Sequence, residues 1–550
     1  MASTSASPSG KHVVIVGAGA GGTALAARLA HAGHRVSVIE KHGDVGGRCS
    51  LLQRDGHRWD VGPSLYLMPE IFDAAFESLG RRREDMYDLH LAAPAYKIHY
   101  HDGRSLHLSS DLVAMGKMLE EFERPAGSKD PLGSFMSFIK EAGEHYEESI
   151  KHVLTLDWTH LLGALTRWEL YPMLLRTKVL HIYTTLYARA SHHFKSDHIR
   201  RAMTFSSMYM GMSPFDAPAT YSLLQYAEYA KGVWYPVGGF QRVVAAFHRV
   251  AEEHGATFRF NTGVRKILLG PKGARGVELD SGEELEADVV VSNVDLVHTY
   301  NSLLPPDSYA KRLQNKDQTC SSISFYWGMK EIVPELGGHN IFLAEAYRES
   351  FDEIFRDGLL PTEPSFYVNV PSRLDPTAAP PGKDTLVVLV PCGPIPLPGS
   401  DAGGRPQTRE AFAATKARAR KQIIETLKKR LGRDDFESLI DVEEVLDPFD
   451  WRERFSLFRG SILGLSHTIP QVLWFRPSVQ HATHKNLFFC GASTQPGTGV
   501  PVVVAGSGVV AARVDAFLRG KPMPGRMPQV SLLLAGLLLP LLLLFFRQSV

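Results

Sequence analysis

A glycine-rich segment near the N-terminus carries a clear signal for binding chemistry. Residues 17–22 satisfy the spacing G-x-G-x-x-G through Gly17, Gly19 and Gly22. In this pattern the first glycine permits a tight turn, the second lets the backbone approach a pyrophosphate, and the third allows a helix to pack closely on a strand. The free N–H groups at the start of that helix would hold the phosphates. The chemistry indicated is the binding of a dinucleotide.

The elements needed to position these glycines follow in the required order. Residues 13–16 form a β-branched run typical of a parallel strand buried on both faces. An Ala/Leu-rich helix is expected to end at Gly33, and a second strand over residues 36–39 ends in Glu40. Glu40 can accept hydrogen bonds from a ribose diol, and its charge would repel a 2′-phosphate. We therefore predict an α/β, Rossmann-like dinucleotide-binding fold rather than a chance match to the pattern.

A second glycine turn favours FAD over NAD, a choice that the fold alone leaves open. Gly46, Gly47 and Arg48 follow Glu40 closely. They resemble the GG motif of flavin-dependent amine oxidases and carotenoid desaturases, in which the backbone and the arginine meet the flavin pyrophosphate. A guanidinium suits that role because its planar fork pairs two phosphate oxygens at once. NAD is the less favoured cofactor.

Three further segments extend the resemblance along the chain. Residues 60–64 (DVGPS), 232–239 (GVWYPVGG) and 486–501 (NLFFCGASTQPGTGVP), taken with the glycine turns, resemble phytoene desaturases of the bacterial and fungal type. These motifs are spread along nearly the whole of residues 11–514. The resemblance implies further cofactor contacts at Gly62, Gly491, Gly499, Val500 and Pro501.

One position departs from the family pattern. The family usually has His-Pro-Gly where this chain has Gln495 followed by Pro496 and Gly497. A catalytic base would be lost if that histidine served as one, whereas a glutamine can still hydrogen-bond a flavin edge or the backbone. We interpret Gln495 as a tolerated change. The resemblance supplies no firmly placed acid or base, so the catalytic residues stay unassigned, with Glu, Asp or water as the expected proton acceptor.

Composition excludes several other functions. In 550 residues, 60 Lys and Arg against 59 Asp and Glu leave a formal net charge of +1, which argues against a nucleic-acid binder. The four cysteines are scattered, without the spacing of a disulfide framework or zinc site. His192, His193 and His198 lack the carboxylates of a metal site, and we expect no metal there.

The resemblance also implies a domain organisation. A large part of the chain would form an FAD-binding domain assembled from separated pieces, with a substrate domain and a helical region inserted between them. The expected ranges are 11–75, 230–298 and 484–516 for the FAD-binding domain, 76–108 and 299–480 for the substrate-binding domain, and 109–229 for the helical region.

Two segments suggest a membrane. Residues 530–546 (VSLLLAGLLLPLLLLFF) carry no charge. As a helix they would measure about 25 Å, against the ~30 Å of a hydrocarbon core. We predict a C-terminal membrane segment with the bulk of the chain cytoplasmic. Residues 158–180 combine leucine, tryptophan and basic residues, which suits either a bilayer interface or a pair of core helices with snorkelling cations. Residues 1–10 lack the apolar core of a secretory signal.

The function implied by the resemblance is desaturation of 15-cis-phytoene. Successive double bonds would give lycopene-like or more desaturated carotenoids, with phytoene, carotene intermediates and membrane lipid as partners. Oxygen or a quinone would accept the electrons, and homo-oligomerisation is left open. The alternatives are a related activity (carotenoid isomerase, ketolase or retinol saturase), a flavin amine oxidase, and a non-enzymatic flavin-scaffolded anchor.

Overall fold

The computed structural model describes residues 11–522, apart from 157, 159–180, 182–183, 398, 400–402 and 404. The membrane segment expected at 530–546, and almost all of residues 158–180, therefore lie outside the described residues.

A five-stranded parallel sheet joins distant parts of the chain. Its central strand, His12–Val16, is completely buried, which explains why this strand is continuously apolar. Strands from the beginning, the middle and the end of the chain pair side by side. In spatial order they are Leu487–Phe489, Val289–Ser292, His12–Val16, Arg35–Ile39 and Thr257–Arg259.

Helices cover this sheet. Ala20–His31 packs against both Gln241–Glu253 and Val500–Leu518. The helix Ala20–His31 ends two residues before Gly33, which adopts the left-handed conformation at φ +89°. The α/β class expected from the sequence is confirmed.

A seven-stranded, mainly antiparallel sheet forms the second layer. Its longest strand, Ser321–Met329, is buried at every position. The helix Arg409–Leu431 packs on one face of this sheet, and Tyr326 on the opposite face packs in a core cluster with Trp59. Phe412, Ile423 and Leu427 of that helix supply the apolar contacts. The strands in order are Ile440–Leu446, Ser321–Met329, Thr385–Cys392, Phe366–Asn369, His339–Phe342, Tyr96–His99 and Ser105–Leu108.

Within the described part of 109–229 the chain is mostly helical. Leu112–Glu123, Pro131–Glu148 and Leu223–Ala230 share one apolar core with strands of the seven-stranded sheet. The other α-helices among the described residues are Pro69–Glu77, Leu186–His193, Asp197–Ala202, Leu296–His298, Ser308–Gln314, Tyr347–Phe355 and Pro448–Phe455. The smaller sheets contain Val264–Gly270, Gly273–Leu279 and Glu284–Glu286; Leu51–Arg54 and His57–Asp60; and Leu89–Leu91 and Trp234–Pro236.

One helix among the described residues is long and apolar enough to cross a membrane. It is Val500–Leu518, with a mean hydropathy of 1.6. Gly506, Ser507, Val510 and Val514 of this helix are buried, and it packs on Ala20–His31. Its apolar composition is therefore also that of a core helix, and it is weak support for a membrane span.

Candidate functional site

A cavity of about 490 Å³ lies between the parallel sheet and the seven-stranded sheet. Its wall contains eleven of the twelve cofactor-binding residues predicted from sequence. The remaining one, Gly22, is buried in the helix Ala20–His31 and does not line the cavity. The eleven are Gly17, Gly19, Glu40, Gly46, Gly47, Arg48, Gly62, Gly491, Gly499, Val500 and Pro501.

The first glycine turn is too tightly packed for side chains. Gly17 has φ +96°, and a Cβ on Gly22 would lie 2.2 Å from the Gly17 carbonyl oxygen. A Cβ on Gly19 would lie 3.1 Å from Nδ2 of Asn293, the residue after a neighbouring strand. No side chain caps the helix that starts at Ala20, so its first N–H groups remain available to an anion. This is the cradle that a pyrophosphate requires.

Glu40 ties the glycine turn to the end of the second strand. Its carboxylate is buried and accepts hydrogen bonds from the backbone N–H groups of Ala18, at 2.7 Å, and His42, at 2.9 Å. A carboxylate has about four lone-pair positions, so acceptor capacity remains for a ribose diol. The structure thus gives Glu40 a loop-fixing role that sequence did not reveal, at the position where the ribose acceptor was expected.

The second glycine turn packs directly on the first. The Gly46 N–H donates to the Ala18 carbonyl at 2.9 Å, and a Cβ on Gly47 would lie 3.3 Å from the Gly19 Cα. Arg48 follows, with its Nη1 donating to the Ile462 carbonyl at 2.6 Å. Burial lowers the pKa of Arg48, while the nearby Asp295 carboxylate raises it. The guanidinium is therefore held at the cavity wall, beside the turn that would cradle phosphates.

The C-terminal motif brings a second helix N-terminus to the same wall. Gly499, at φ +104°, precedes the helix Val500–Leu518, and no side chain caps it. A Cβ on Gly21 would lie 2.7 Å from Cγ1 of Val503, so the two helix starts touch. Gly62 also lies close, since a Cβ there would be 2.7 Å from the Arg48 carbonyl oxygen. The cavity wall therefore receives the positive ends of two helix dipoles.

Arg476 is a residue that sequence analysis missed. Its guanidinium is fully buried without a carboxylate partner among the described residues, and burial lowers its pKa to about 10. It fixes the C-terminal motif to the preceding loop through backbone carbonyls only. The acceptors are Thr494 at 2.9 Å, Ser466 at 3.1 Å, Gln471 at 3.2 Å, Leu465 at 3.1 Å and Ala492.

Gln495 does not line the cavity. Its Nε2 donates to the Leu473 carbonyl at 3.1 Å, which is the backbone role that the sequence allowed. A different histidine lies against the motif: Nε2 of His467 accepts a hydrogen bond from the Thr498 N–H at 3.1 Å. Burial lowers the pKa of His467 well below its ordinary value, so the ring is neutral. A histidine so distant in sequence gave no signal in the motif itself.

The far end of the cavity is apolar. Its wall is built from the helical region, the seven-stranded sheet and the start of the last helix. The side chains include Leu65, Leu67, Met68, Phe205, Met208, Leu224, Val387, Leu389 and Val502. A polar cradle at one end and an aliphatic wall at the other can hold a dinucleotide beside a hydrocarbon.

The candidate metal residues make other contacts. His193 lies 3.4 Å from Glu141, and His198 lies 3.0 Å from Asp102. Across the described ranges no cluster of three or more His, Cys, Asp or Glu residues is suited to a metal ion. All four cysteines are free and buried.

Comparison with known families decides the assignment. A family described as flavin containing amine oxidoreductase matches residues 20–514. The chain belongs to this family. Solved structures agree on the fold: a putrescine oxidase aligns with a TM-score of 0.59 over 92% of this chain and 99% of its own, at 16% identity. An oxidoreductase from Methanosarcina mazei aligns with a TM-score of 0.57 over 91% of this chain and 99% of its own, also at 16% identity.

Relatives of much higher identity carry a more specific name. A phytoene desaturase of Phycomyces blakesleeanus is 51% identical over 90% of this chain and 84% of its own. A phytoene desaturase of Fusarium fujikuroi is 48% identical over 94% of this chain and 91% of its own. A zeta-carotene-forming phytoene desaturase of Myxococcus xanthus is 40% identical over 93% of this chain and 95% of its own. The resemblance to bacterial and fungal phytoene desaturases is confirmed. The glycine cradle, the buried Glu40 and the Arg48 guanidinium fit a flavin cofactor.

Proposed function

We propose that this protein is an FAD-dependent phytoene desaturase of carotenoid biosynthesis. The observation that carries the proposal is the two-part cavity, which joins a dinucleotide cradle to an aliphatic wall. The named relatives, 40–51% identical over at least 90% of the chain, support phytoene as the substrate. The reaction class is oxidation of CH–CH groups.

The residues of this chain would bind, orient and shield. The N–H groups at Ala20 and Val500, with Arg48, would hold the FAD pyrophosphate, and Glu40 would accept the ribose hydroxyls. When bound, the flavin supplies an acceptor for a hydride. Leu224, Leu389 and the other aliphatic residues would align the polyene and keep water out, so that the C–H bond to be broken is fixed in place.

The domain organisation expected from the sequence is part of this proposal. The FAD-binding domain would comprise 11–75, 230–298 and 484–516, and the five parallel strands, which come from all three ranges, support it. The substrate-binding domain would comprise 76–108 and 299–480. The helical region, 109–229, would close the apolar end of the cavity.

Membrane association is proposed from the substrate and the sequence. Phytoene is a hydrocarbon that resides in lipid, and the uncharged residues 530–546 suit a membrane segment with the bulk of the chain cytoplasmic. The described helix Val500–Leu518 is only weak support, because it packs within the fold. Oxygen or a quinone would accept the electrons.

The test uses the purified full-length protein with FAD and phytoene-loaded liposomes. Phytoene is colourless, so visible absorption bands in the extracted lipid would establish desaturation, and their position would count the conjugated double bonds. Parallel reactions in air, and without oxygen but with a quinone, would identify the electron acceptor. A colourless extract from protein with bound flavin under both conditions would refute the proposal.

A further inference from the structure

A cluster of tyrosines and one carboxyl group interrupts the apolar wall of the cavity. Tyr209 lines the cavity, and its ring stacks on the ring of Tyr96 with centroids 6.3 Å apart. Tyr96 in turn donates to Oε1 of Glu228 at 3.1 Å. Glu228 is 4% exposed and lies one helical turn after Leu224, a cavity residue. The three side chains form a continuous path from the cavity to a buried carboxyl group.

No charged group in the described part of the chain pairs with Glu228. The titratable groups that face it are the phenols of Tyr96, Tyr209 and Tyr229. On the helix packed against it, Pro131–Glu148, the buried His145 is hydrogen-bonded to Ser222 at 2.8 Å. Burial raises the pKa of Glu228 to about 8, and the Tyr96 bond opposes that rise. Glu228 can therefore exchange a proton near neutral pH.

A second polar path at the same cavity is less suited to accept a proton. The Tyr367 hydroxyl lies 2.8 Å from the Ser64 hydroxyl and 2.6 Å from Nδ1 of His339, and both Ser64 and Tyr367 line the cavity. Burial lowers the pKa of His339 to about 3, so its neutral ring is a weak base. The carboxylate of Glu228 is the stronger base of the two.

We propose that Glu228 accepts the proton released during desaturation, through the hydroxyl groups of Tyr209 and Tyr96. This inference rests on the proposed function, because it assigns the proton of that same reaction. It gives a role to a buried carboxyl group that no packing or ion-pair requirement explains.

The step balances in atoms and electrons. One C–H bond of the CH–CH unit breaks, and its hydrogen and electron pair leave together as a hydride, for which the bound flavin would supply the acceptor. The adjacent C–H bond breaks, and its electron pair becomes the new π bond. Its proton moves to the Tyr209 oxygen while the Tyr209 proton passes to Tyr96 and the Tyr96 proton passes to the Glu228 carboxylate. Release of that proton from Glu228 restores the starting state.

The first experiment examines Glu228 without substrate. Infrared spectra of the flavin-loaded protein are recorded across the pH range and compared with those of Glu228→Gln. We expect a carboxylic-acid C=O band in the wild-type protein that disappears as the pH rises through about 8 and is missing from the variant. A Glu228 band that disappears at the pH of an ordinary exposed glutamate would overturn the proposal.

The second experiment measures transfer from phytoene. Protein and phytoene liposomes are mixed without oxygen, and loss of oxidised-flavin absorbance gives the rate. We expect that rate to rise with pH in the wild-type protein, and to fall at least ~100-fold and lose its pH dependence in Glu228→Gln. Tyr96→Phe breaks the path but keeps the carboxyl group, and we expect the same fall in rate and the same loss of pH dependence. This second variant keeps the proposal testable if Glu228→Gln does not fold. Tyr300→Phe removes a buried hydroxyl that neither lines the cavity nor faces Glu228, and it should match wild type.

The outcomes separate the two proposals. If phytoene fails to reduce the wild-type flavin, the proposed function is refuted. If phytoene reduces the flavin and both Glu228→Gln and Tyr96→Phe keep the wild-type rate and pH profile, the desaturase assignment stands and the role of Glu228 is refuted.

Discussion

The buried Arg476 offers a sharp test of how the cofactor motif is held. Its five hydrogen bonds leave from three nitrogens in different directions and reach carbonyls on both sides of the loop. The perturbation is Arg476→Lys, which keeps the positive charge. A lysine has three donors on one atom, so at least two of the five carbonyls must lose the donor at residue 476. The Ser466 carbonyl also accepts from Nε2 of Gln471, so at least one of the five is left without a partner.

The magnitude follows from that loss. A buried acceptor left without a partner costs about 1–3 kcal/mol, so one or two of them give about 1–6 kcal/mol. An ammonium is also more strongly hydrated than a guanidinium, which makes burial less favourable still. We expect the free energy of unfolding to fall by an amount in this range, and flavin affinity to fall with it, because the carbonyls of Ala492 and Thr494 belong to the cofactor motif.

Urea denaturation of the flavin-loaded protein, followed by tryptophan fluorescence and by flavin release, measures both effects. Arg373→Lys is the matched control. Arg373 donates from one nitrogen, Nη2, to the Val333 carbonyl at 2.8 Å and to Asp384 at 2.9 Å, so a single ammonium can replace it. The control should change the free energy of unfolding by less than ~1 kcal/mol. Equal effects of the two substitutions would refute the reasoning from donor geometry.

Three further predictions concern the cofactor end and its support. Gly22→Ala should abolish flavin binding, measured by absorbance of the purified protein, because its Cβ would lie 2.2 Å from a backbone oxygen. Gly116→Ala should bind flavin normally, because its Cβ would make only an ordinary contact with the Leu132 side chain at 3.9 Å. Glu40→Gln should lower the free energy of unfolding by about 1–3 kcal/mol, because both carboxylate oxygens accept backbone N–H groups and an amide NH₂ cannot; unchanged urea midpoints would contradict this. Burial raises the pKa of Asp60 from 3.8 to about 6, so the native state retains a proton that the unfolded chain loses. The contribution of Asp60 to the free energy of unfolding should therefore decline by about 3 kcal/mol as the pH rises from ~3 to ~7, and urea titration at each pH should show wild type losing about that much more than Asp60→Asn.

The glycine turns could be predicted because their requirements are local. The spacing of Gly17, Gly19 and Gly22 between two apolar strands encodes both the turn and its place in the sheet. The position of Glu40 could be predicted for the same reason, since it follows the second strand directly. The family resemblance then indicated Arg48 and the C-terminal residues as cofactor contacts, which composition alone does not identify.

The supporting residues could not be predicted because their partners are far away in sequence. Asn293 packs on the glycine turn only after distant strands pair, and His467 reaches Thr498 from a separate loop. Nothing in the sequence around Arg476 distinguishes it from an ordinary loop arginine, because its side chain donates hydrogen bonds to backbone carbonyls only. Glu228 and its tyrosines come from separate elements, and no periodic pattern marks them as one path.

The pairing order of the five-stranded sheet has a consequence for synthesis. Val289–Ser292 lies between His12–Val16 and Leu487–Phe489, so one of its edges stays unpaired until the ribosome has passed residue 489. At the usual ~5–20 residues per second, the 197 residues between 292 and 489 take roughly 10 to 40 seconds. During that time an apolar strand edge is open to other nascent chains. A chain terminated early, before residue 487, should therefore aggregate rather than persist as a partly active fragment.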